Sequence, residues 1–190
     1  MATTHITIAA LIDGVIGREG GYSDHPADRG GPTRWGITEQ VARAFGYKGD
    51  MRVLPRETAV AIYRRRYWDA PRLGEIATRY PAVAAELFDA GVNMGTAAAA
   101  SFVQRALNAL NDMGAHYPDI AVDGAIGALT LHALDSYRQR RGEQGGGVLL
   151  VAIRALRGER YIEISETRPA NEAFTYGWFR RMAELAGEPA

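Results

Sequence analysis

Apolar residues recur at Ile8, Leu11, Ile12, Val15 and Ile16, the spacing that keeps one face of an α-helix turned inward. Thr3 or Thr4 is expected to cap this helix, and Gly20-Gly21 to end it through the left-handed backbone open to glycine. From there to Thr38 the rhythm changes. Gly and Pro punctuate short polar and aromatic residues, which predicts a β-hairpin or wing. Helical periodicity then returns. Thr38 is placed to cap a short helix through Phe45 that stops at Gly46. Leu54-Pro55 opens another, with Pro55 in its first turn and Val60, Tyr63 and Tyr67 on one face.

Pro81 starts a helix carrying Val83, Leu87, Ala90 and Met94 at helical spacing, closed by Gly95. Asp89 and Asn93 share one face of its last turns. Thr96 is the expected N-cap of the next helix, which runs to Leu110 with Phe102, Val103, Ala106, Leu107 and Leu110 inward. Asp123-Gly124 reads as a turn before a helix through Leu134, joining two helices of one lobe. Gln144 to Gly147 is a glycine-rich break. Val148 to Ile153 is apolar on nearly every face, which predicts a helix buried all round at the centre of its lobe. Arg154, Arg157 and Arg160 are expected to begin its polar continuation. Phe174, Trp178, Met182 and Leu185 form the stripe of a last helix, after a turn at Pro169-Ala170-Asn171.

Composition narrows the function classes. With 22 basic and 22 acidic residues in 190 the formal charge is zero, so no global field points to nucleic acid. There is no Cys, which removes disulfides, thiolate metal sites and a Cys nucleophile. The histidines His5, His25, His116 and His132 are scattered without ligand spacing, and no zinc, phosphate-loop or dinucleotide motif is present. No metal and no cofactor is therefore expected. A signal-peptide pattern and a membrane-length apolar stretch are both missing, so the expectation is a cytoplasmic protein without a membrane span. Arg64-Arg65-Arg66, beside Tyr67-Trp68, reads either as a solvated face or as an attraction for anionic envelope polymers.

The candidate chemistry sits where the first helix stops. Glu19 lies in its last turn, at the negative pole of the helix dipole, where a carboxylate anion is disfavoured and a general acid is favoured. Asp28 follows nine positions later, close enough for the wing to fold it back. Two carboxyls on opposite walls of a cleft are what glycoside hydrolysis needs. Tyr22 and Trp35 offer flat faces for sugar rings, Thr33 can hold a water, and Asn93 can donate to an N-acetyl group.

The stretch Glu19-Gly20-Gly21-Tyr22, with Asp28-Arg29-Gly30-Gly31-Pro32-Thr33-Arg34-Trp35-Gly36-Ile37-Thr38, resembles the signature of glycoside hydrolase family 108. Phe88 to Gly95, Val122 to Thr130 and Tyr176 to Arg181 extend the resemblance over nearly the whole chain. It implies a lysozyme-like α+β fold, mainly α, with a small lobe bearing the hairpin wing, a larger helical lobe and a cleft between them. The expected division is 1–92 for the catalytic region and 93–190 for a helical lobe similar to a peptidoglycan-binding module, packed as one compact unit. It also implies an endolysin-type N-acetylmuramidase with Glu19 as general acid, Asp28 and Thr33 as catalytic partners, and Tyr22, Trp35 and Asn93 as substrate contacts. Related phage lysozymes place the Thr six residues after the Asp. Here that position is Arg34, and Thr33 stands one earlier. The implied partner is peptidoglycan, met by a monomer after release from the cytoplasm through a holin-type exit. A lytic transglycosylase and an inactive wall-binding module are the rival readings.

Overall fold

The computed structural model describes residues 7–19, 21–24 and 31–187, and the side chains of residues 18 and 19 lie outside that description. The backbone divides into two units, Met1–Leu73 and Gly74–Ala190. The protein is mainly helical with one small antiparallel hairpin, a lysozyme-like α+β fold. No helix among the described residues is long and apolar enough to cross a membrane.

In the first unit, α1 (Ile8–Glu19) buries Ile12, Val15 and Ile16, as its periodicity requires. Its cap is Thr7, whose Oγ1 accepts from the Ala10 amide at 3.2 Å, rather than Thr3 or Thr4, which lie outside the described residues. The left-handed stop at Gly20-Gly21 is not seen at Gly21, whose φ is not positive, and Gly20 is outside the described residues. Strands β1 (Thr33–Arg34) and β2 (Ile37–Thr38) pair Thr33 with Thr38 and Arg34 with Ile37. Trp35 (φ 56°) and Gly36 (φ 72°) form the two-residue connection, the positive-φ pair that suits the strand twist. Thr38 then caps α2 (Glu39–Phe45), and Gly46 closes it at φ 104°.

Pro55 is the N-cap of α3 (Arg56–Arg64), one position before its expected place. The same helix widens into a π turn over Arg65–Asp69, where the Ala70 amide reaches the Arg65 carbonyl at 3.0 Å. α1 lies against α3, tied by the Arg56–Asp13 ion pair.

In the second unit, the short α4 (Leu73–Ala77) leads to α5 (Pro81–Met94), with Pro81 in its first turn. Every residue of α5 from Val83 to Gly91 is buried, so α5 is the core helix. α6 (Thr96–Ala109) packs along it, capped by Gly95 with Thr96 as its first residue. Its inward face is Phe102, Val103, Ala106 and Leu107, with Leu110 only half-buried. α7 (Ala128–Arg141), α8 (Gly145–Thr167) and α9 (Glu172–Ala186) complete the unit.

Two expectations for α8 are corrected. Val148 and Val151 are 55% and 67% exposed, so this helix is not buried all round. Arg157, placed on the polar continuation, is the largest fully buried side chain among the described residues. The reason lies on α5, which presents Glu86 and Asp89 to it. Arg157 Nη1 donates to Glu86 Oε1 at 2.6 Å and Nη2 to Asp89 Oδ2 at 2.5 Å. Arg154 reaches the other oxygen of Glu86 at 2.8 Å, and Arg181 of α9 the other oxygen of Asp89 at 2.7 Å. Burial pulls the Arg157 pKa down, but the Asp89 and Glu86 carboxylates outweigh it and hold the guanidinium above its ordinary value.

The link between α6 and α7 is built as a clamp. Gln104 Nε2 donates to Asp123 Oδ1 at 2.7 Å and its Oε1 accepts from the Gly124 amide. Asn108 exchanges two hydrogen bonds with the backbone of Ile120. Gly124 has φ 73°, and a Cβ there would lie 3.1 Å from the Ala97 carbonyl oxygen. Asp123-Gly124 thus joins two helices, as its turn chemistry predicts.

Candidate active site

The candidate residues of the first unit follow from one local construction. α1 ends at Glu19, and four residues later Ser23 pairs with Thr33, each amide donating to the other's carbonyl at 2.8 Å. This rung joins the segment after the helix to the hairpin. It also closes off the stretch of sequence that holds Asp28, which itself lies outside the described residues. Of Glu19 the backbone alone is described.

Thr33 sits in β1, half-buried, and its hydroxyl donates to the Gly31 carbonyl at 3.3 Å. Tyr22 is exposed, with its hydroxyl donating to Asp24 Oδ2 at 2.9 Å and the Arg52 guanidinium 5.6 Å over its ring. Desolvation and the Asp24 carboxylate push the Tyr22 phenol above its usual pKa.

Trp35 is a structural anchor as well as a flat face. A bulky residue at positive φ is uncommon and has to be held there. Its indole Nε1 donates to the Leu54 carbonyl at 3.0 Å, and its own carbonyl accepts from Tyr63 Oη at 3.1 Å. Arg34 covers one side of the ring at 5.2 Å, with a buried Nε that makes no hydrogen bond. Trp35 therefore ties the hairpin to α3 and to the turn before it.

Asn93 belongs to the second unit. In the last turn of α5 its amide donates to the Asp89 carbonyl at 3.2 Å and to Asp89 Oδ2 at 3.3 Å. That makes it the outer member of the ionic network around Arg157. Sequence reasoning missed this network, although a signal was present. Glu86 and Asp89 stand three apart on one helix, and Arg154 and Arg157 stand three apart on another.

The arginine run beside Trp68 also has a setting. Arg65 and Arg66 line a groove of about 530 Å³ with Gln40, Val41, Phe45 and Ile62, and Arg65 lies 5.8 Å over the Phe45 ring. Among the described residues, no three His, Asp or Glu come together as a metal-binding set.

Residues 12–95 match the family model described as Glycosyl hydrolase 108, and residues 98–183 match the one described as Predicted Peptidoglycan domain. Residues 12–95 thus form a glycosyl hydrolase family 108 segment. The pairing of this segment with a peptidoglycan domain supports a peptidoglycan hydrolase. Among solved structures, it is similar to SagA of Brucella abortus, with a TM-score of 0.63 and 24% identity. That match covers 94% of this chain and 90% of the other, and it shows the shared fold. No curated protein matches the sequence. The boundary between the two family models falls at the α5–α6 junction, whereas the packed units divide after the first residue of α4. α5 thus belongs to the hydrolase segment by sequence and to the second unit by packing.

Proposed function

We propose that the chain cleaves the β-1,4 bond between N-acetylmuramic acid and N-acetylglucosamine, with Glu19 as general acid. The observation that carries this reading is the location of Glu19. It is the last residue of α1, just before the Ser23–Thr33 rung, within the segment matched by the family 108 model. The negative pole of a helix disfavours a carboxylate anion by roughly 0.3–1 kcal/mol, which favours the protonated form needed to donate to a leaving oxygen.

Asp28 is the second carboxylate of the pair that such hydrolysis uses. Thr33 commits its proton to Gly31, which leaves its oxygen lone pairs to accept from a water. Tyr22 and the uncovered side of Trp35 supply sugar faces, and Asn93 contacts an N-acetyl group. In this reading the protein acts as a monomer, an endolysin made in the cytoplasm that reaches the wall through a holin-type exit.

The test is mass spectrometry of soluble products from purified peptidoglycan, digested by wild type and by Glu19→Gln. Reducing N-acetylmuramic acid ends are expected from wild type, with turnover falling by about a hundredfold or more in the variant. A variant that keeps more than about a tenth of the activity removes Glu19 from the general-acid role, given that magnitude. Anhydro ends, lighter by one water, identify a lytic transglycosylase. Binding without products from wild type identifies a wall-binding module.

A further inference from the structure

The C-terminal helix carries a feature that core packing does not explain. Three rings form a ladder across α8 and α9. Tyr161 is buried at 2% exposure, and Trp178 lies over it with centroids 5.2 Å apart and planes 21° from parallel. Phe174, one turn before Trp178 on α9, continues the ladder at 6.3 Å and 25°. The first ring belongs to the core, and the second is half-buried against it. Phe174, by contrast, is 60% exposed, and α9 has no fully buried residue. A large apolar ring held out to water, at the end of a stack whose base is fixed, is preset to accept one more flat face.

The base is fixed by the ionic network. Tyr161 Oη accepts from Arg157 Nε at 3.1 Å and from Nη2 at 2.9 Å, so the first ring cannot swing away without breaking bonds to a buried guanidinium. Arg181 stands two helical turns from Phe174 on the same face and is bonded to Asp89, which holds Asn93. The ladder is therefore continuous with the residue already assigned to an N-acetyl group.

We propose that the open face of Phe174, backed by Trp178 and Tyr161, is a binding platform for an amino-sugar ring of the glycan strand. The C–H face of a pyranose is apolar and flat enough to stack on an aromatic ring, while its hydroxyls stay in water. The platform lies within the segment matched by the Predicted Peptidoglycan domain, which favours a sugar over a protein partner. The proposal rests on the peptidoglycan-hydrolase reading and gives the second unit its own hold on the strand.

The three indoles make this directly observable. The protein, labelled with ¹⁵N-tryptophan, is titrated with a soluble N-acetylglucosamine tetramer, and the Trp178 signal is assigned by its loss in Trp178→Phe. The expected result is a shift of the Trp178 indole resonance that Phe174→Ala abolishes and Phe174→Tyr retains. Binding to purified sacculi, measured in a Glu19→Gln background to suppress digestion, weakens about tenfold in Phe174→Ala by analogy with the loss of one aromatic stacking contact. Because Phe174 is exposed, its melting temperature stays at the wild-type value. An unmoved Trp178 signal, with Phe174→Ala holding sacculi as wild type does, overturns the platform while leaving the hydrolase reading in place. A wild type that neither binds nor cleaves sacculi overturns the hydrolase reading itself, and the platform's ligand with it.

Discussion

Of two helices in the second unit, α8 has the unbroken apolar run Val148–Ile153 and α5 carries two carboxylates, yet α5 is the one withdrawn from solvent. The difference lies in what each faces. α5 contacts both α6 and α8, and its Glu86 and Asp89 are met by Arg154, Arg157 and Arg181. α8 turns Leu149, Ile153 and Arg157 inward and leaves Val148 and Val151 in water. Burial along a helix is thus decided by neighbours on other elements. A charged residue goes inside when its counter-charge arrives with the neighbouring helix.

The largest effect should come from Arg157→Ala. It leaves two buried carboxylates short of their shared partner, a loss of about 3–5 kcal/mol in unfolding free energy by chemical denaturation. A loss under about 1 kcal/mol, the range of an exposed pair, would mean the pairing does not hold α5 in place. Tyr117→Phe tests a neutral buried group in the same unit. Its hydroxyl donates to the Leu107 carbonyl at 2.8 Å, so the variant should lose about 1 kcal/mol at neutral pH.

Tyr117 also has a pH signature. Burial pushes its pKa up to about 12 from the ordinary tyrosine value of 10.0. Its contribution is full below the unfolded pKa and lost as pH rises from there toward the folded value. Melting temperatures of wild type should therefore fall more steeply over that alkaline window than those of Tyr117→Phe. Equal slopes would remove Tyr117 from the alkaline limb. The smallest effect belongs to Val151→Ser, whose exposed side chain should change stability by no more than about 0.5 kcal/mol. A cost above about 1 kcal/mol would show that α8 is covered in solution.

Much of the helical framework is legible from local chemistry. Thr38 and Gly46 bracket α2, and Pro81 and Gly95 bracket α5, because caps act within a few residues of the helix they terminate. What escaped depends on distant partners. α and π turns draw on the same local preferences, so the widening at Arg65–Asp69 leaves no signature in composition. The positive φ of Trp35 is sustained by Leu54 and Tyr63, far along the chain. For the candidate site, the glycines and prolines of the wing predicted the hairpin that presents Thr33 and Trp35, and helical periodicity predicted the end of α1 at Glu19. The tie between Asn93 and Arg157 was hidden because it passes through Asp89 to another helix.

The wide turn at Arg65–Asp69 also bears on how a chain of this fold can change length. It accommodates one residue more than an ordinary helical turn. Deleting a single residue there would let the helix close as a plain α-helix. Everything downstream would then keep its face and height, whereas a deletion from a plain α-helix swings it by about 100° and draws it back by about 1.5 Å, the step of one helical residue. A helix interior normally rejects a one-residue indel, because all later side chains change face at once. In this helix the surplus residue has already been absorbed, so a length polymorphism among descendants of this gene has a natural address at that turn.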